Sequence, residues 1–227
     1  MCGPVDAGTI GARKIMRTLP LADEFFLVGH DEYTGKPMVN AEVLDTGLAG
    51  AVLGELIMSG RLSVAETGSV TARDQRPYGE RVSDAAMAEV LKQPEAHPIR
   101  AWIEYLRTEV RNMVAPRLVQ AGVIQRVQSS GMLRKSVRFP AVEPIKAAAP
   151  RARLRYMLDH PAYLDGHTAV LGGLTRATGL EHVLGAGTSR EARDNLSKMV
   201  EALPLDLRLL CGGVDQAVAA VALTVRR

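Results

Sequence analysis

Apolar residues recur along most of the chain at the three- and four-residue spacing of helices. Over Pro20 to Asp31, Leu21, Phe25 and Val28 share a face, and Asp23 and Glu24 fall in the first turn, where the helix dipole favours acids. Gly29 weakens the end of this helix, and Glu32 to Met38, with its Tyr-Thr-Gly-Lys-Pro composition, reads as a turn or hairpin tip. In Ala41 to Ser59, Leu44, Leu48, Val52 and Leu56 repeat every fourth residue, while Gly47, Gly50 and Gly54 lie inside the same helix. Each glycine costs a helix about 1 kcal/mol relative to Ala, so the pattern predicts another helix backbone packed close against this one.

Alternating patterning is confined to two places. After Gly60, Arg61 to Ala65 reads as a short strand, and Ser69 to Arg73 can pair back across Glu66-Thr67-Gly68. Farther on, Ile124 to Val127 and Met132 to Phe139 read as the strands of a β-hairpin around Gln128-Ser129-Ser130-Gly131. Between them, Ser83 to Lys92 is an amphipathic helix stopped by Pro94 and Pro98. Ile99 to Ala121 then carries Trp102, Leu106, Val110 and Val114 on one stripe, with Pro116 marking a kink or junction and Gly122 the end. Beyond the hairpin, Pro144 to Leu158, Ala162 to Thr178, Ser189 to Leu203 and Val214 to Val225 read as helices, and Thr188 with Glu191 has capping-box spacing. The predicted fold is mainly α: an N-terminal tail over residues 1–18, then a single helical domain over 19–227 with a small β element and a protruding β-hairpin.

Composition narrows this further. A chain of 227 residues with 47% hydrophobic and 23% charged residues can bury a core without metal or disulfide. Only 4% of residues are aromatic, which speaks against a β-sandwich. Cys2 and Cys211 stand at opposite ends without metal spacing, and a reducing cytoplasm suits them, with Cys211 packing as a small hydrophobe. The opening residues are interrupted by Arg13, Lys14 and Arg17 and do not read as a secretory signal. The longest apolar stretches fall short of the roughly 18–20 residues that span a bilayer. The bias of 22 Arg to 6 Lys suggests a GC-rich, bacterial genome.

No nucleophile motif or zinc-protease spacing is present, so no enzyme activity and no cofactor are expected. His160, Asp165 and His167 cluster around Pro161, but without a fourth ligand a polar helix connection explains them better than a metal site. Gly185-Ala186-Gly187 precedes a helix start but lacks the third glycine and leading strand of a dinucleotide fingerprint, so it reads as a loop. Charge is the strongest asymmetry. Between 126 and 155 lie Arg126, Arg134, Lys135, Arg138, Lys146, Arg151, Arg153 and Arg155 against Glu143 alone, 8 − 1 = +7, leaving 3 − 7 = −4 for the rest. That is the footprint of a polyanion partner or a solvated face. Met132, Leu133, Val137 and Phe139 interleave apolar anchors with the cations.

Residues 19 to 64, LPLADEFFLVGHDEYTGKPMVNAEVLDTGLAGAVLGELIMSGRLSV, resemble the opening of the Golgi phosphoprotein 3 family, including its bacterial members. The second helix matches G-L-x-G-x-x-L-x-E-L-x-x-x-G-R-L from Gly47 to Leu62. W-I-x-x-L at Trp102 to Leu106, L-V-x-x-G-V-I at Leu118 to Ile124 and, more loosely, the C-terminal helix extend the likeness over nearly the whole chain. The resemblance implies a non-enzymatic helical domain that docks on membranes by binding phosphatidylinositol 4-phosphate and holds client proteins there. The family's head-group pocket uses a Trp and three Arg at positions matched here by Asn40, Ala49, Thr108 and Arg111. Only Arg111 is retained, with Arg107 beside Thr108 as a substitute. The pocket therefore reads as degenerate, because a phosphomonoester needs several converging cationic donors.

The family's membrane and oligomer hairpin falls on Leu133, Arg134, Lys135, Val137, Arg138 and Phe139. The expected partners are an anionic phospholipid surface, client proteins and a second copy of the chain through the hairpin, and nucleic acid is disfavoured. The expected location is cytoplasmic, at the inner face of a membrane. Two alternatives stay open: a winged-helix-like nucleic-acid binder whose wing is the basic hairpin, and a self-associating scaffold that binds only protein.

Overall fold

The computed structural model describes residues 19–130, 135–160, 165–184 and 190–224. At its centre runs α2 (Ala41–Met58), which packs against α1 (Leu21–Val28), α3 (Arg81–Lys92), α4 (Ile99–Leu106), α5 (Val110–Gln120), α8 (Gly166–Ala177) and α10 (Leu205–Thr224). Nearly every residue of α2 from Leu44 to Ile57 is buried, the signature of a helix enclosed on all sides. Its glycines make that possible. A Cβ on Gly47 would enter the Phe25 ring, and one on Gly50 would lie 2.5 Å from Val214 Cγ2. The predicted close approach is therefore present against both α1 and α10.

α1 is buried over all eight residues, its acids included. It ends at Gly29, and a turn closed by the His30↔Pro37 bridge follows, with Gly35 at φ 64°. β1 (Leu62–Val64) pairs antiparallel with β2 (Val70–Ala72), Ser63 opposite Thr71. The predicted helical run from Ile99 to Ala121 is broken at 107–109 instead of at Pro116. There the Thr108 hydroxyl donates to the Tyr105 carbonyl at 3.0 Å, competing with the helix ladder. Pro116 sits inside α5 on its exposed side, where the lost N–H costs least.

The hairpin is present with a shifted tip. β3 (Val127–Ser130) pairs with β4 (Lys135–Arg138), Val127 opposite Arg138 and Gln128 opposite Val137, so residues 128–130 are strand and not turn. Met132, Leu133 and Arg134 lie outside the described residues, as does the Lys135 side chain.

The helix predicted from Pro144 divides into α6 (Pro144–Ala147) and α7 (Ala149–Asp159), since Pro150 has no N–H for the Lys146 carbonyl. α8 begins at Gly166, later than predicted, because Asp165 caps it by accepting the Thr168 N–H at 2.8 Å. A 3-10 turn (Leu180–Leu184) and α9 (Arg190–Glu201) follow, and the Gly185 to Gly187 loop and the Thr188 cap lie outside the described residues. α10 starts nine residues before the predicted Val214. Gly212-Gly213 reads as a breaker, yet a Cβ on Gly213 would stand 2.9 Å from Ile99 Cγ2, so this glycine serves contact with α4. Cys211 is buried in the core, which pushes its thiol up to about 12.

Candidate functional site

The four head-group positions do not form a cationic pocket. Asn40 is the N-cap of α2, its Oδ1 accepting the Glu42 N–H at 2.8 Å. Ala49 is fully buried in the core, and Thr108 bonds the end of α4. Arg111, on the first turn of α5, lies against the start of α2: its Nε donates to Asp45 Oδ1 at 2.7 Å and its Nη2 to the Ala41 carbonyl at 2.6 Å. Burial pushes the Asp45 carboxyl up, while Arg111 and then Arg107 pull against it. Arg111 is thus held by a carboxylate of the chain, and Arg107 acts on the same carboxylate only through its charge.

The hairpin base is tied into the core. The Phe139 N–H donates to the Gly35 carbonyl at 3.0 Å, and the Phe139 ring stands edge-on to Phe26 at 5.6 Å. Phe26 also stacks on His30 at 4.0 Å. His30 Nδ1 donates to the Phe26 carbonyl, and burial pushes its ring pKa down to about 4. Phe139 therefore anchors the hairpin inward. Val127 and Val137 are exposed on opposite faces of the ribbon.

The basic segment divides. Arg151 reaches into the turn after α1, donating to Glu32 Oε2 and to the His30 carbonyl. Arg153 grips Glu24 with both terminal nitrogens. Lys146 pairs locally with Glu143. Glu32 and Glu24 lie outside the segment, so its +7 falls to 7 − 2 = +5. Among the described residues, Arg126, Arg138 and Arg155 make no ion pair.

Sequence reasoning missed a second charged cluster, at the N-terminus of α1. Glu24 accepts from Arg153 and from His167 Nε2 at 2.9 Å. Burial pushes its carboxyl up, but the His167 and Arg153 hydrogen bonds outweigh this and hold it below its ordinary value. Asp23 accepts two N–H groups of Arg117, whose third arm pairs with Glu80, and burial still pushes Asp23 up to about 6. Glu55 accepts the Ala22 N–H at 2.9 Å and the Ser83 hydroxyl. Burial pushes this carboxyl up as well. A cleft of about 580 Å³, walled partly by Leu19, Glu55, Tyr78, Glu80 and His167, opens beside it. The signal was present as acids inside apolar runs, Asp23-Glu24 before Phe25-Phe26 and Glu55 between Gly54 and Leu56. Such acids stay buried only when paired.

His160, Asp165 and His167 do not converge. His160 stacks on Tyr156, Asp165 caps α8 and His167 bonds Glu24. Among the described residues no group of three or more such side chains could hold a metal ion.

A helical domain wound round a buried, glycine-bearing helix, with acids and arginines paired across its interior and a basic two-stranded ribbon fastened at its base, defines a mainly α-helical class of protein with a small β component. Among the described residues no helix is long and apolar enough to cross a membrane. The chain belongs to the Golgi phosphoprotein 3 (GPP34) family, whose sequence model matches residues 21–224, nearly the whole chain. No curated protein matches it significantly.

Proposed function

We propose that the chain is a non-enzymatic, peripherally membrane-associated adaptor that adsorbs to anionic phospholipid at the inner face of a membrane, with little head-group selectivity. The observation that carries this reading is the contrast between the two sets of arginines. Arg126 and Arg138 are free of ion pairs beside exposed Val127 and Val137 on the ribbon, whereas Arg111 is held by Asp45. A phosphate at Arg111 must displace a carboxylate and a carbonyl, while a phosphate at the ribbon displaces only water. Family membership supports the adaptor role, and client proteins and a second copy of the chain, pairing along the open ribbon edges, are its proposed partners. The non-enzymatic reading is supported by the shifted carboxyls of Asp23 and Glu55, each engaged in hydrogen bonds that hold α1. A nucleic-acid role is disfavoured because Arg111 and Arg117, the α5 cations preceding the ribbon, are committed to Asp45, Asp23 and Glu80.

Vesicle co-sedimentation tests the proposal. Each Lys or Arg near an anionic surface is worth about 1 kcal/mol, so Arg134, Lys135 and Arg138→Ala together should weaken binding on the order of 100-fold at low salt. Arg111→Ala should have little effect, and neutral vesicles should bind poorly. Loss of binding from Arg111→Ala alone, with phosphatidylinositol 4-phosphate preferred over other anionic lipids at equal charge, would refute it in favour of a rebuilt pocket around Arg107 and Arg111.

A further inference from the structure

Away from the ribbon, α3 and α4 border an open corner that the membrane reading does not use. Glu89 and Gln93 at the end of α3, His97 before α4, and Ala101, Trp102 and Tyr105 on α4 bound a cavity of about 240 Å³. The share of liquid volume of about eight waters would fill it, which leaves room for a tetrahedral ion of five heavy atoms. Trp102, buried at the floor of the corner, stands nearly perpendicular to each of the other two rings. Trp102 and Tyr105 lie 6.0 Å apart at 89°, and His97 and Trp102 lie 6.0 Å apart at 76°. The Tyr105 hydroxyl donates to Glu89 Oε2 at 3.0 Å, and Lys92 Nζ donates to Glu89 Oε1 at 2.6 Å.

We propose that this aromatic corner binds a small quaternary ammonium ion. A methylated ammonium carries diffuse charge, holds water weakly and donates no N–H bond. It is therefore attracted to ring faces and to a nearby carboxylate. Exposed Tyr105 and buried Trp102 offer a rounded cation two aromatic surfaces, the tyrosine the more accessible. Donation from the Tyr105 hydroxyl to a carboxylate increases electron density on the phenol ring and deepens that attraction. An ordinary ammonium is served less well, because its N–H groups hold water tightly and Glu89 is a weakened acceptor already shared between Lys92 and Tyr105. Lys92 is the counterweight: its charge beside Glu89 opposes a second cation, so the site is weak and tunable.

The chain has one tryptophan, so its single indole N–H signal in a 15N-correlation spectrum reports on this corner without assignment. Tetramethylammonium chloride should move that signal saturably, sodium chloride at equal ionic strength should not, and neopentyl alcohol, a neutral analogue of similar shape, should bind far more weakly. Tyr105→Leu and Glu89→Gln, both at solvent-reachable positions, should each weaken tetramethylammonium binding about two- to five-fold with the rest of the spectrum unchanged, and Lys92→Gln should tighten it. A shift by free choline but not by phosphatidylcholine vesicles supports a soluble cation, and a shift by both supports a lipid head group. No saturable shift, equal binding of neopentyl alcohol, or unchanged affinity in both weakening variants would overturn the proposal.

Discussion

Arg153→Met tests whether the buried pair beneath α1 holds the fold. In the native protein Arg153 Nη1 donates to Glu24 Oε1 at 3.0 Å, its Nη2 contacts the second oxygen, and its Nε donates to Thr168 Oγ1 at 3.1 Å. Glu24 is 2% exposed, whereas the Arg153 side chain is 26% exposed. Removing one partner of a buried pair costs about 3–5 kcal/mol because the other charge is stranded. Here His167 continues to donate to Glu24 and water can reach the vacated guanidinium space, so the expected loss at pH 7 is about 2–4 kcal/mol. Glu24→Gln combined with Arg153→Met removes the stranded charge and should restore at least half of it.

The pH dependence supplies the sign. In the native protein Glu24 is held below its ordinary 4.5, so its contribution is present above that value and is lost as pH falls through the lower folded pKa. In Arg153→Met burial prevails, the folded pKa moves above 4.5, and the variant instead loses stability as pH rises through that value. The stability gap should therefore narrow from pH 7 to pH 4. Urea unfolding of the three proteins across that range measures it. A loss under about 1 kcal/mol at pH 7, or a gap that does not narrow on acidification, would refute the buried-charge account.

Asp23, pushed up by burial to about 6 from 3.8, contributes stability that is fully present below 3.8 and lost as pH rises through about 6. Asp23→Asn should therefore gain on the native protein between pH 4 and 7 by up to about (6 − 3.8) × 1.36 ≈ 3 kcal/mol in urea titrations, and parallel curves would count against it. Gly47→Ala drives a Cβ into Phe25 and to 2.8 Å from Thr178 Cγ2. Overpacking of about 1–3 kcal/mol should outweigh the helix-propensity gain and lower Tm by roughly 3–6 °C in calorimetry. Asp45→Asn releases Arg111 and should raise binding to phosphatidylinositol 4-phosphate vesicles several-fold in co-sedimentation, and no change would mean that Asp45 is not what occupies the guanidinium.

What sequence alone determined is the set of features decided by neighbours along the chain. The four-residue repeat and the glycines of α2, the acids opening α1 and the short β1–β2 pair are local patterns with a period and appear where the pattern puts them, and the ribbon before Phe139 appears with its first strand displaced toward the tip. The helix ends at Thr108, Pro150 and Gly213 were misplaced because a hydroxyl, a missing N–H or a close neighbour decided each one, and a glycine in sequence does not tell a break from a contact. Tertiary structure alone decided where each charge goes. Arg111 meets an acid 66 residues away, Arg117 one 94 away and Arg153 one 129 away. Summing charge along residues 126–155 counts Arg151 and Arg153 as surface cations, whereas the fold leaves both half-buried and paired with acids from the turn after α1 and from α1 itself. Coulomb attraction depends on distance in space, and only the packing of α5 and α7 onto the first two helices sets that distance.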